Sequence, residues 1–200
     1  GPQSILFYAA SGMSGLVNGF SKQFWKMIGG ASNMYGNLCW PAGLEGTRLT
    51  LGDNKHNAPW DLENAGLIVM WGKNAVETNI QQMIPVEKAL EKGASLVVID
   101  PRRTQTAEKA CLLVQPVPGT DGALALGIAR IIIDQGWHDK TFIDTWVKGF
   151  EEFKNSLNPF TPEYVSGICK VDMKYIFQLA ELIGKVKPMT MIPGYGMQRF

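Results

Sequence analysis

A chain of 200 residues with 46% apolar and 18% charged residues can bury a substantial core and does not belong to the disordered class. Nineteen Lys and Arg against eighteen Asp and Glu leave a formal charge of +1, which excludes the basic field of a general nucleic-acid binder and also an acidic tail. Glycine is over-used, at 22 residues against an average share of about 7%, so tight loops or backbone lying against a large ligand are expected.

Residues 4–9 (SILFYA) form a short apolar and aromatic run of strand character, followed after Ser11-Gly12 by a helical stretch to about Ile28. Residues 29–59 are dominated by Gly, Asn, Pro and Thr and hold no period. A structureless segment of that length far exceeds an ordinary connection and points to a functional or flexible loop. Asp61-Leu62-Glu63-Asn64 reads as a short helical start before the strand Leu67–Trp71. The loop 72–79 leads to a helix over 80–92, with apolar positions at Ile80, Met83, Ile84, Ala89 and Leu90 and a stop at Gly93.

The strand Ser95–Ile99 runs directly into Asp100-Pro101, and a third strand, Leu112–Val114, leads to Pro118-Gly119-Thr120-Asp121. There Thr120 or Asp121 can cap a long apolar helix ending at Gly136. Helices over 139–147 and 174–184 follow, joined by a Pro-containing loop at 158–163. A last strand over 189–192 enters Gly194-Tyr195-Gly196. Fully apolar strands alternating with helices specify a mostly parallel sheet with helices on both faces, an α/β doubly wound fold of the dinucleotide-binding kind.

In such sheets ligands bind beyond the carboxyl ends of the strands. The first strand delivers Gly72-Lys73-Asn74-Ala75-Val76-Glu77-Thr78 to that edge, and the second delivers Asp100-Pro101-Arg102-Arg103. A glycine turn followed by an acid at the next strand tip is how nucleotide-binding βαβ units take phosphate and ribose. Asp100 lies 28 residues after Gly72, longer than the usual spacing of about 20, and the GxGxxG fingerprint is absent. Asp121, on the third edge loop, could accept from an amino-bearing base such as guanine. Each group alone also fits a turn or a helix cap; together at one edge they favour a nucleotide site.

Cys39, Cys111 and Cys169 are odd in number, widely spaced and without a C-x-x-C pair, which argues against a disulfide scaffold and against an iron–sulfur or zinc site made by this chain alone. His56 and His138 share no ligand spacing. The longest apolar run, over 124–133, is interrupted by Gly127 and Arg130 and falls short of the roughly 18 residues of a membrane span. No signal-peptide pattern opens the chain, and no motif assigns a compartment.

Asp61-Leu62-Glu63-Asn64-Ala65, Trp71-Gly72-Lys73-Asn74, Ile99-Asp100-Pro101-Arg102, Thr104-Gln105-Thr106-Ala107 and Pro118-Gly119-Thr120-Asp121-Gly122-Ala123-Leu124 occur in that order, with later echoes at Gly149-Phe150, Thr161-Pro162-Glu163 and Gly194-Tyr195-Gly196-Met197-Gln198. This linked set resembles the molybdopterin oxidoreductases of the dimethyl sulfoxide reductase family over essentially the whole chain. The resemblance implies a large enzyme holding molybdenum or tungsten between two molybdopterin guanine dinucleotides, with residues 1–200 as the central dinucleotide-binding region and 29–60 as the metal-ligand loop. It implies that Asn74 and Glu77 meet phosphate and ribose, Asp100 the ribose and Asp121 the guanine, with Arg102 in the same set. Gly72 and Gly119 would let backbone approach the ligand, and Gly194, Gly196 and Gln198 would lie against pterin.

The resemblance makes Cys39, in a loop after Gly30-Ala31-Ser32-Asn33, the metal ligand and catalytic residue. With dithiolene sulfurs supplying the other ligands one protein thiolate suffices, and a soft thiolate suits Mo or W. Cys111, in strand context, and Cys169, near a helix start, read as packing residues. Trp40 follows Cys39 where formate dehydrogenases of the family carry histidine, and Cys111 stands where the family commonly has aspartate. The family's cysteine cluster for a [4Fe–4S] centre and its cap domain are not in this sequence. The expectation is therefore a central piece of a larger subunit, inactive alone, whose parent takes a small-molecule substrate and passes electrons through pterin to an iron–sulfur centre and an iron–sulfur partner subunit. The parent would sit in the cytoplasm or periplasm of a prokaryote. Two alternatives stand beside this reading: a metal-free scaffold of the same fold, and a tungsten hydratase.

Overall fold

The computed structural model describes residues 1–9, 15–36 and 40–199, with the backbone alone at Trp40, Gln198 and Arg199. The chain divides into two compact units, Gly1–Asn54 and Lys55–Phe200. The first contains a 3-10 turn (Pro2–Ser4), β1 (Leu6–Phe7), α1 (Leu16–Met27), β2 (Ser32–Asn33) and α2 (Trp40–Leu51). β1 and β2 pair in parallel, Leu6 opposite Ser32 and Phe7 opposite Asn33. The strand expected over 4–9 is thus only two residues long, because its partner is no longer and Ser4 closes the preceding turn onto the Gly1 carbonyl.

A larger correction concerns residues 29–59, which contain the twelve-residue helix α2. Pro41 is its second residue, where a missing N–H leaves no helical bond unmade. Glu45 and Arg48 pair across one turn at 2.6 Å, and the Thr47 and Thr50 hydroxyls donate to the carbonyls of Gly43 and Gly46. Two glycines in the helix interior weaken the apolar period that sequence reading depends on. None of the first unit's described side chains is buried.

The second unit is built on a four-stranded parallel sheet of order β5–β4–β3–β6, formed by β3 (Leu67–Trp71), β4 (Ser95–Ile99), β5 (Leu112–Val114) and β6 (Met189–Pro193). Its helices are α3 (Ala75–Thr78), α4 (Met83–Glu91), α5 (Gln105–Glu108), α6 (Asp121–Asp134), α7 (Lys140–Trp146), α8 (Phe150–Ser156), α9 (Pro162–Cys169) and α10 (Met173–Lys185). Alternate strand residues serve opposite layers, as a pleated sheet requires. Leu67, Val69, Val97 and Ile99 pack with Leu124, Ile128, Val165, Ile176 and Leu179 of α6, α9 and α10. Ile68, Met70, Leu96 and Val98 pack with Leu62, Met83, Val86 and Ala107 on the other face. The expected doubly wound arrangement is present, and each fully buried side chain contributes about 1.5–3 kcal/mol to it.

Local differences have local causes. The helix expected over 80–92 begins as a 3-10 turn (Ile80–Gln82); Ile80 and Ile84 are exposed, and Val86 takes a buried position instead. The stretch around the expected loop 158–163 carries two helices, α8 and α9. α9 starts where Thr161 Oγ1 accepts from the Tyr164 N–H, with Pro162 as its first residue. Thr120 sits at the N-cap of α6 but makes no side-chain cap, since its hydroxyl donates to the Val117 carbonyl at 2.6 Å. Cys169 is buried as a packing residue should be, whereas Cys111 is exposed just ahead of β5.

Candidate functional site

Parallel register brings the strand ends level: Trp71 stands opposite Ile99 and Pro193, and Ile99 opposite Val114. The ladder continues one residue past the strands through Gly72 N–H to Ile99 O (2.7 Å), Asp100 N–H to Val114 O (3.0 Å) and Gly194 N–H to Trp71 O (2.7 Å). Strand order reverses at β3, whose successors β4 and β5 lie on one side and β6 on the other. A crevice at such a switch point is the expected ligand position. Its floor is bare backbone: Gly72 has φ +61°, and a Cβ added at Gly194 would overlap the Gly72 carbonyl oxygen.

Polar groups surround this floor. Asp121, the first residue of α6 and half-buried, accepts from the Trp71 indole N–H at 2.6 Å, a short charge-assisted bond. Its other carboxylate oxygen, Oδ2, has no hydrogen-bond partner among the described residues. Asp100 Oδ1 accepts from the Arg102 N–H at 2.8 Å, which turns the chain sharply after β4. Lys73 donates to Thr78 Oγ1 at 3.2 Å, and partial burial holds its amine below the usual lysine range.

Asn74 is tied down by a residue on another element. Thr106, fully buried on α5, accepts from the Val76 N–H at 3.1 Å and donates to Asn74 Oδ1 at 2.8 Å. With one lone pair engaged by an amide, the hydroxyl proton needs an acceptor, and a buried donor left without one costs about 1–3 kcal/mol. The carboxamide oxygen therefore faces Thr106, and the two Nδ2 donors are left for another partner.

Gly72, Asn74, Asp100, Asp121 and Gly194 all stand at this strand edge. Gly119 lies in the same loop system, at φ +87°, with the Val117 N–H tied to the Cys169 carbonyl. Glu77 and Arg102 have exposed side chains at the rim, and Gly196 is exposed in the 3-10 turn Tyr195–Arg199 that follows β6. Gln198 is in that turn too, and Cys39 lies outside the described residues. Trp71, Lys73 and Thr106 are additions to the expected set. In sequence Trp71 reads as a strand residue and Thr106 as part of the run Thr104-Gln105-Thr106-Ala107, and only the fold reveals that each uses its polar atom on a site residue. Among the described residues no helix is long and apolar enough to cross a membrane.

Comparison with known proteins follows the same lines. The family model described as molybdopterin oxidoreductase matches residues 1–200. The chain is 36% identical over 200 residues to the probable oxidoreductase YoaE of Bacillus subtilis, covering 99% of this chain and 29% of that protein. It is 36% identical over 144 residues to the F420-dependent formate dehydrogenase subunit alpha of Methanocaldococcus jannaschii, covering 72% and 21% respectively. Among solved structures, acetylene hydratase from Pelobacter acetylenicus superposes with a TM-score of 0.77 at 27% identity, over 90% of this chain and 25% of that one. The chain thus spans less than a third of the length of these relatives.

Proposed function

Because the chain belongs to the molybdopterin oxidoreductases, the dimethyl sulfoxide reductase family, we propose that its strand edge holds one molybdopterin guanine dinucleotide within a larger redox enzyme. What supports this reading is the convergence of Gly72, Asn74, Asp100 and Asp121 on one strand edge at the switch point of the sheet, with the Asp121 carboxylate fixed by the Trp71 indole N–H. Asp121 Oδ2 accepts from the ring N–H and amino group of guanine, while Trp71 holds the carboxylate in place. Asp100 accepts from ribose hydroxyls. Asn74 donates to phosphate oxygens, the Lys73 ammonium offsets their charge, and Glu77 and Arg102 flank them. Gly119 allows close approach of the third edge loop, and residues 194–198 meet the pterin.

When bound, the molybdenum or tungsten pterin supplies two-electron or oxygen-atom transfer. Cys39 is the proposed thiolate ligand, and the protein's share is binding, orientation and electrostatics. A second dinucleotide, a [4Fe–4S] centre and an iron–sulfur electron-transfer subunit complete the proposed enzyme, and turnover is assigned to the full-length protein rather than to these 200 residues. Hydration of a small unsaturated substrate is a second reading, favoured by the likeness to acetylene hydratase. Assays of the full-length protein with an artificial electron acceptor and with an alkyne separate the two.

The nucleotide site is tested on this chain directly. Titrating the 15N-labelled protein with GDP is expected to move the amide signals of Gly72, Asn74, Asp100 and Asp121, with ADP binding about tenfold more weakly and Asp121→Ala removing that preference. No response to millimolar GDP would overturn the proposal.

A further inference from the structure

We infer that Thr106 is a positioning residue for the nucleotide, presetting the Asn74 carboxamide so that both of its N–H donors face an oxygen-bearing ligand group; the inference rests on the nucleotide reading above. Asn74 follows the glycine turn after β3, at the crevice, and its side chain is half-buried. Left free, a terminal carboxamide rotates, and half of its flipped orientations offer an oxygen lone pair to a phosphate, which is repulsive. Thr106 removes that choice. Its oxygen accepts from the Val76 N–H (3.1 Å), so its proton goes to Asn74 Oδ1 (2.8 Å). The Asn74 backbone is held as well, its carbonyl accepting from the Thr78 N–H (3.0 Å) and hydroxyl (2.7 Å).

Thr106 has the burial such a role requires. It is 0% exposed and touches no solvent, so it contributes to binding only through Asn74 and Val76. Binding a ligand with a preset donor avoids the ordering cost that a mobile amide would incur. The ligand group so favoured is an acceptor with no proton of its own, a phosphate oxygen. A serine at 106 keeps the relay; a valine of nearly equal shape keeps the packing and removes it.

The test uses the 200-residue chain with GDP as probe. Thr106→Val is expected to weaken GDP binding about tenfold, to broaden or shift the Asn74 side-chain 15N signals, and to leave the GDP-over-ADP preference unchanged. Thr106→Ser restores both binding and the Asn74 signals. Asn74→Ala weakens binding to a similar degree, and the Thr106→Val/Asn74→Ala double variant is no weaker than Asn74→Ala alone, because the two act as one unit. Asp100→Ala, which shares no contact with Thr106, adds its full effect to either.

If wild-type protein binds GDP and Thr106→Val binds equally well, this inference alone is overturned. It is also overturned if Thr106→Ser behaves like Thr106→Val, or if the double variant shows simple additivity, since loss of packing would then account for the effect. If wild-type protein does not bind GDP, the nucleotide reading falls and this inference falls with it.

Discussion

Two thiols in opposite surroundings show how little residue type alone decides. Cys169 ends α9 inside the core, where burial pushes its pKa above the usual thiol range and its S–H donates weakly to the Thr120 carbonyl at 3.5 Å. Cys111 is exposed ahead of β5. In a Cys39→Ser background, iodoacetamide at pH 8 is expected to label Cys111 and spare Cys169, as read by peptide mass spectrometry; equal labelling would contradict the burial. The sign of the pH effect follows from the same shift. The folded state keeps a proton that the unfolded chain releases near its ordinary thiol value, so this contribution to stability is complete below that value and is lost as pH rises through the raised folded one. Thr106 and Trp71 teach a related lesson. Neither stands in the sequence as a site residue, and their polar atoms acquire meaning only when the fold sets α5 beside α3 and the start of α6 beside the end of β3.

At the scale of elements, the strand ends depend on backbone contact that side chains would prevent. Gly194→Ala drives a Cβ into the Gly72 carbonyl and is expected to cost about 3 kcal/mol in urea unfolding. Gly72→Ala meets only the flexible Met197 side chain, at 3.1 Å, but must hold a left-handed backbone, at about 1–2 kcal/mol. Equal losses at the two positions would show that close approach is not what glycine serves at 194. β3, β4 and β5 were legible from the sequence because buried parallel strands are continuous apolar runs with no competing pattern, whereas β6, also expected as a strand, has no fully buried residue. α2 was not, since Pro41, Gly43 and Gly46 imitate loop composition while occupying tolerated helical positions. α9 carried its own start signal in Thr161-Pro162-Glu163, an N-cap followed by proline at the first position. The site's edge residues were legible as ends of strands, but the meeting of Gly194 with Gly72 was not, because it depends on β6 lying beside β3.

At the scale of the whole molecule, cohesion is uneven. Strand residues 67–70 and 97–99 are fully buried, whereas no described side chain in Gly1–Asn54 is. Hydrogen exchange is therefore expected to be slowest in β3 and β4 and fastest across the first unit, by factors of about a thousand or more if the sheet opens only globally. Uniform protection across the two units would contradict this division. The sheet order carries a further consequence, for the order of events in synthesis. β3, β4 and β5 are close in the chain and can pair as soon as they leave the ribosome, but β6, which supplies the other wall of the crevice, is made last of the four. Until Gly194 emerges, the carbonyl of Gly72 has no facing wall. On the proposed reading, the dinucleotide site is therefore complete only after β6, the last of the four strands to be made, has joined β3.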